Sequence, residues 1–336
     1  MDVKNNKIKK VLVTGGAGYL GSEIVSSLVE SGVNVVVLDK FYFGRDNLTP
    51  ADNLTLVEGS PLDIGKTSIA LKNVDAVIHL TGMVGDSSCG LSEFNTLHTN
   101  FTSTIRLFKL AKEVGIKKFI FASSCSVYGN NSKVDEASEL YPLSLYARDK
   151  IYTEKALMAL ADDVQLTIMR KGTLFGWSRR PRFDLVINLL TAKVITENKI
   201  TVYGNGAQWR PFIHVKDAAK AYLAVLFDEN STENEIYNIG FNDMNFTVGS
   251  IVYKLNDILN DLNIYPEISF DNTKEDDRSY KVDFTRFSSK YHIESRYNFK
   301  MGVLDLIQHI KTRGLSGWWK DKQYSNYLFY KDLYNK

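Results

Sequence analysis

Cysteine is scarce: the 336 residues hold two, Cys89 and Cys125. Two thiols cannot build a disulfide framework, and no Cys/His spacing here resembles a metal site. No metal is therefore expected, and a reducing cytoplasm suits the chain. Long apolar runs are missing too. The charged opening stretch leads into an apolar run, Val11 to Val13, too short for a signal peptide. Nothing approaches the roughly 18 consecutive apolar residues of a membrane span. An excess of one charge is also lacking: 41 Lys and Arg face 39 Asp and Glu, a net charge of +2. They are spread along the chain, whereas a nucleic-acid partner asks for a clustered basic face. Internal repeats and low-complexity tracts are absent as well.

What is present is an ordinary globular balance, 44% hydrophobic and 24% charged residues. The length suits one large domain or two fused ones. Short apolar runs alternate with longer amphipathic stretches. Strands are expected at Val11–Thr14, Asn34–Leu38, Leu54–Val57, Ala76–Leu80, Lys118–Ala122, Gln165–Met169 and Glu235–Ile239. Helices are expected at Tyr19–Glu30, Phe94–Val114, Tyr146–Leu160, Phe183–Glu197 and Val215–Phe227. The strands are continuously apolar, as in a parallel sheet covered on both faces. Strict alternation with helices gives a doubly wound α/β sheet. After Gly176 the texture changes, and the basic loop Trp177–Arg182 reads as a solvated domain crossing. The aromatic tail Trp318–Tyr334 reads as a helix packed on the body, with an oligomer contact as the alternative.

Between the first strand and first helix stands Thr14-Gly-Gly-Ala-Gly-Tyr-Leu-Gly21. Gly15, Gly18 and Gly21 leave the backbone open to a pyrophosphate, and the helix start at Tyr19 and Leu20 offers free N–H groups and a partial positive charge. A glycine triplet alone is weak evidence; the strand-turn-helix context strengthens it. Asp39, 18 residues after Gly21 at the end of the second strand, can accept hydrogen bonds from ribose hydroxyls and would repel a 2′-phosphate. This favours NAD over NADP, with Lys40 as a counter-signal and a strand-end cap as the plainer reading of Asp39.

Tyr146 and Lys150 lie at i and i+4, on one helical face. A free tyrosine is a poor base at neutral pH, and a nearby ammonium is expected to lower its pKa. Lys150 can also hold the nicotinamide ribose. Tyr146 would then take a proton from a substrate hydroxyl as hydride leaves carbon. Ser124, after a strand at the carboxyl edge of the sheet, can hydrogen-bond the same hydroxyl.

Together these residues resemble the extended short-chain dehydrogenase/reductase family, in its nucleotide-sugar epimerase/dehydratase branch. The resemblance runs from about Lys10 to Ile310. It rests on the glycine turn, Asp39, His79-Leu80, Asn100, Ser123-Ser-Cys-Ser-Val-Tyr-Gly129, Tyr146-x-x-x-Lys150 and Arg210-Pro-Phe-Ile-His-Val215. It implies a Rossmann-type sheet holding NAD, over residues 1–176 with 211–240 returning to it. A smaller C-terminal α/β domain, 177–210 and 241–336, would hold a nucleoside diphosphate sugar. It implies Ser124, Tyr146 and Lys150 as the catalytic set, with Leu80, Thr81 and Asn100 beside the cofactor. Arg210 and Arg278 match the diphosphate-binding arginines, and Thr173 stands where relatives place an asparagine facing those phosphates. Ser60 replaces an aspartate that contacts adenine. A homodimer through Phe94–Val114 and Tyr146–Leu160 is implied as well.

Within that branch, 4,6-dehydratases carry Asp-Glu after the catalytic serine, because losing water needs an extra acid and base. This chain has Cys125-Ser126. The expected reaction is therefore 4-epimerisation through a transient 4-keto sugar. A 4-dehydrogenase or 4-ketoreductase is the close alternative, and a dinucleotide sensor without turnover the distant one.

Overall fold

The computed structural model describes residues 7–271 and 277–334. Both ends of the expected domain division, residues 1 and 336, lie outside them. The first strand, β1 (Lys10–Thr14), leads through the glycine turn into α1 (Tyr19–Glu30), then β2 (Asn34–Asp39) and β3 (Leu54–Glu58). Next come β4 (Ala76–His79), β5 (Lys118–Ser124), α2 (Leu145–Leu160), β6 (Gln165–Lys171), α3 (Val215–Leu226) and β7 (Glu235–Ile239). The seven strands form one sheet in the order β7-β6-β5-β4-β1-β2-β3, all parallel. This is a Rossmann-like α/β architecture. The chain winds outward from β1 to β3, then returns to β4 on the other side of β1. That reversal opens a crevice at the carboxyl ends of β1 and β4.

Strand side chains alternate between the faces. Val11 and Val13 pack toward Ile24 and Val25 of α1 and Tyr222 and Val225 of α3. Leu12 packs on the other face, in a cluster with Val77, Leu107, Phe108, Phe119 and Leu157. Each such side chain contributes roughly 1.5–3 kcal/mol of burial, which is why both faces must be apolar. The edge strand β3 has no fully buried residue.

The expected helix over Phe94–Val114 is present with a defect. Glu93–Leu97 and Ser103–Glu113 are α-helical, but His98–Thr102 between them is a π-turn. Both flanking segments read as helix, and no residue type marks the change of hydrogen bonding between them. The expected helix from Phe183 starts at Val186. Serine caps fix other starts: Ser144 Oγ accepts from Ala147 N at 3.1 Å at the head of α2.

Beyond Lys171 the strands are short. Trp209–His214 lies between Thr173–Phe175, parallel, and Asn245–Thr247, antiparallel. Lys199–Tyr203 pairs with Glu267–Asp271, and Asn130–Val134 with Ser279–Val282. A second core of Phe175, Phe183, Leu190, Phe212, Leu255 and Val303 supports them. The tail is helical only in Asn326–Tyr334, after a short 3-10 turn at Trp318–Lys320. It packs on its own chain: Trp318 stacks on Tyr324 with centroids 4.3 Å apart, and Phe329 meets Tyr42 and Phe43. Among the described residues no helix is long and apolar enough to cross a membrane.

Candidate active site

A cleft of about 1340 Å³ runs along the carboxyl ends of the strands. Its floor is the glycine turn. Gly15 has φ +71°, and a Cβ there would lie 2.8 Å from Thr81 N. A Cβ on Gly21 would lie 2.2 Å from the Gly15 carbonyl oxygen. Gly18 is looser, with the same oxygen at 3.2 Å from its ideal Cβ. The turn thus needs glycine for its own closure as well as for an approaching phosphate. Tyr19 is buried, and its hydroxyl donates to the Gly176 carbonyl at 2.6 Å. Leu20 beside it is buried too. Leu80 N donates to Thr14 O at 3.0 Å, and Thr81 N approaches Thr14 Oγ1 at 3.4 Å.

Asp39 is held by two backbone donors, Ala17 N at 3.0 Å and Phe41 N at 2.8 Å. Burial pushes its carboxyl up, and these two bonds oppose that shift. Lys40 is engaged elsewhere, donating to Tyr42 Oη at 3.1 Å. The open turn and the acidic strand end fit a dinucleotide with a free adenosine 2′-hydroxyl.

Ser124 ends β5 at the cleft wall, and its Oγ accepts from Ser126 N at 3.2 Å. Tyr146, in the first turn of α2, also reaches the wall, close enough to Ser124 for that side chain to act on its phenol. Burial pushes the Tyr146 phenol up; the nearby Cys89 adds to this and Ser124 opposes it. The lowering expected from Lys150 is overruled. The lysine Nζ donates to Ala122 O at 2.9 Å and stands 5.8 Å from the Tyr146 ring centroid. Burial also pushes Lys150 down.

Lys150 and Asn100 stand behind the lining of the cleft. Asn100 lies in the π-turn, with its amide closed on one backbone unit: Oδ1 accepts from Met83 N at 2.7 Å and Nδ2 donates to Met83 O at 2.9 Å. A single inserted residue re-aims a helical side chain, a usual service of π-bulges at functional sites. His79 is fully buried between Thr14 Oγ1 at 2.6 Å and Thr104 Oγ1 at 2.7 Å. It ties the glycine-turn strand to this helix.

Across from the glycine turn, Thr173, Arg210 and Arg278 line the same cleft. Arg210 donates to the carbonyls of Trp209, at 2.8 Å, and Arg278. Arg278 is paired with Asp86, whose carboxylate also accepts from Ser144, the cap of α2. Asp86 was not singled out by sequence reasoning; its partners lie 58 and 192 residues away. Lys171 was also missed. It pairs in register with Ser124, lines the cleft and is pushed down to about 7 by burial and by Lys150.

Of the basic loop only Arg179 is solvated. Arg180 is 3% exposed and Arg182 9%, and both line the cleft. Arg182 is held bidentately by Asp184, with both bonds at 2.9 Å. The tail covers them: Phe183 N donates to Tyr324 O, and Tyr330 packs with Met83, Cys89 and Tyr146.

A glycine turn on β1, an acidic end on β2 and a Ser/Tyr/Lys set on β5 and α2 converge on one crevice. The chain belongs to the NAD dependent epimerase/dehydratase family, which it matches over residues 11–240. It is 31% identical over 231 residues to the uncharacterized UDP-glucose epimerase YtcB of Bacillus subtilis, covering 65% of this chain and 72% of that one. Among solved structures it is similar to MoeE5 in complex with UDP-glucuronic acid and NAD. There the TM-score is 0.80 at 27% identity, covering 91% of this chain and 100% of that one. It is also similar to a UDP-glucose 4-epimerase of Thermotoga maritima with UDP-glucose, with a TM-score of 0.81 at 26% identity, covering 91% and 100%. As a member of this family the chain is an NAD-dependent enzyme.

Proposed function

We propose that the protein is a nucleotide-sugar 4-epimerase that works through a transient 4-keto sugar. One observation carries this reading. Ser124 and Tyr146 line the cleft together, while the carboxylates Asp86 and Asp184 that line the same cleft are paired with Arg278 and Arg182. Redox at a sugar hydroxyl needs the first pair; elimination of water would need a free acid and base as well.

Bound NAD would take hydride from the sugar carbon and return it. Gly15, Gly18, Tyr19 and Leu20 would hold its pyrophosphate, Asp39 its adenosine ribose, and Leu80, Thr81, Asn100 and Lys150 its nicotinamide end. Tyr146 Oη would remove the hydroxyl proton and later give it back, with Ser124 Oγ orienting the same oxygen. The buried ammonium of Lys150 favours the phenolate during that transfer. Arg210 and Arg278 would bind the substrate diphosphate, two planar cations suited to bidentate contact with phosphate, and Thr173 would lie beside them. A UDP-sugar is the first substrate class to test, because the similar structures hold UDP-glucose and UDP-glucuronic acid.

Residues 1–176 with 211–240 form the cofactor domain on this reading, and 177–210 with 241–336 the substrate domain. A cytoplasmic homodimer through Phe94–Val114 and Tyr146–Leu160 completes it. Phe94, Tyr152 and Met158 on those helices are 74%, 57% and 38% exposed, apolar surface that a second copy would cover.

Product analysis by NMR on UDP-sugars, using the protein as purified with its NAD, tests the proposal. Epimerisation without added coenzyme is expected. Stoichiometric NADH or a stable ketone would overturn it in favour of a dehydrogenase.

A further inference from the structure

Arg180 is an unusual cation. Its side chain is 3% exposed, yet no carboxylate bonds it among the described residues. Its Nε has no partner among them, and one Nη donates to the Gln323 carbonyl at 3.3 Å. The guanidinium lies over Phe43, 3.6 Å from the ring centroid. Two other buried arginines are paired with carboxylates: Arg170 with Glu154 at 2.7 Å and Arg182 with Asp184 at 2.9 Å. A buried charge whose nearest carboxylates, Asp184 and Asp39, act on it without bonding it is costly. Burial first, then the charge of Arg182, push Arg180 down from its ordinary value. Such a site favours an anion.

Arg180 lines the same cleft as the glycine turn, so a ligand there can reach it. Two diphosphates belong in this cleft, one in the cofactor and one in the substrate. Position separates them. Phe43, under the guanidinium, follows Asp39 by four residues, and the Asp39 charge acts on Arg180. Arg210 and Arg278 interact with each other instead.

We propose that Arg180 is a ligand of the cofactor pyrophosphate, reaching it from the loop after Gly176 and held in place by Phe43 and the C-terminal tail. The glycine turn would present N–H groups to the diphosphate from one side, and Arg180 would close over it from the other with a planar fork. The tail carbonyl of Gln323 orients that fork. Covalent chemistry is not involved. The assignment rests on NAD binding and is independent of which sugar is turned over.

The test is titration of the full-length protein, stripped of nucleotide, with NAD and separately with UDP, for wild type, Arg180→Met and Arg180→Lys. Arg180→Met is expected to raise the Kd for NAD roughly 10- to 100-fold, the scale of a lost charge-assisted contact. The Kd for UDP should stay within about threefold, well under the tenfold scale of such a contact. The melting temperature without nucleotide should hold or rise, because a buried cation has been removed. Arg180→Lys keeps the charge but loses the fork, and it should weaken NAD by a smaller factor. Unchanged NAD affinity in both variants would overturn the proposal, and so would a fall in melting temperature with NAD affinity intact. A loss confined to UDP would move Arg180 to the substrate diphosphate and overturn the cofactor assignment. If Arg180→Met does not fold, Arg180→Lys decides: NAD affinity equal to wild type overturns the proposal.

Discussion

On the floor of the cleft the contacts are made by backbone; on the facing wall they are made by long cationic side chains. Around Gly15 and Gly21 the free space is set by carbonyl and amide groups closer than 3 Å to any added Cβ. Across the cleft, Arg210 and Arg278 reach inward and are held by a carbonyl and a carboxylate from distant segments. A backbone site is written into a short stretch of chain and tolerates no added atom. A side-chain site is assembled from parts far apart in sequence, and each contact can be lost singly. Damage should therefore be abrupt on the floor and graded on the wall.

The largest expected effect lies where the two meet. Tyr146→Phe removes the proton acceptor and should lower turnover by about 10²–10⁴-fold. NAD binding, followed by fluorescence titration, should stay within a few-fold of wild type. Full activity in this variant would dismiss the assignment of Tyr146.

On the floor, Gly21→Val drives a side chain into the Gly15 carbonyl. The cost should exceed the usual overpacking range of about 1–3 kcal/mol, because backbone cannot step aside. Chemical denaturation would measure it, and a loss below about 1 kcal/mol would contradict the backbone argument.

Asp149 lies behind the cleft wall, near Lys150 and Asn100. It is fully buried, neither carboxylate oxygen has a well-formed hydrogen bond among the described residues, and burial pushes it up to about 6. Lys150 and the Asn100 amide oppose that shift. The folded-state pKa lies above the unfolded value. The folded protein therefore holds a proton that the unfolded chain has lost between about pH 3.8 and 6. Stability falls as pH rises through that window, and the full cost is present above it. Asp149→Asn should stabilise the protein by up to about 3 kcal/mol at pH 7 and by almost nothing near pH 3.5. Melting curves across pH would show it; a gain independent of pH would refute the cause.

The smallest effect belongs to the wall. Arg278→Ala should raise KM for the nucleotide sugar by roughly tenfold, about 1.4 kcal/mol, and leave the Kd for NAD unchanged. Equal losses of both ligands would erase the distinction between the two sides.

Much of the site was legible because its parts are local. The turn from Thr14 to Gly21, Asp39 at a strand end and the i, i+4 pair Tyr146/Lys150 each occupy one element. Helix α1 was readable to its last residue, since Gly32 with φ +78° follows its end. The π-turn at His98–Thr102 was not, because it is a change of hydrogen bonding that no residue type marks. Asp86 was not, because its roles are defined by Ser144 and Arg278. Arg180 and Arg182 looked like a solvated loop, because two arginines and a proline in sequence carry no sign of what covers them.

Sequence alone determined the alternation that builds the parallel sheet and the place of the glycine turn and Asp39 within it, since the period of a strand or helix is a property of neighbouring residues. Only the tertiary structure decided which charges are buried and with whom they pair. Burial of Arg180 depends on Gln323, 143 residues away, and the direction of the Tyr146 shift depends on how much water the packed cleft excludes. Desolvation is a property of the assembled surroundings, and no short stretch of chain carries it.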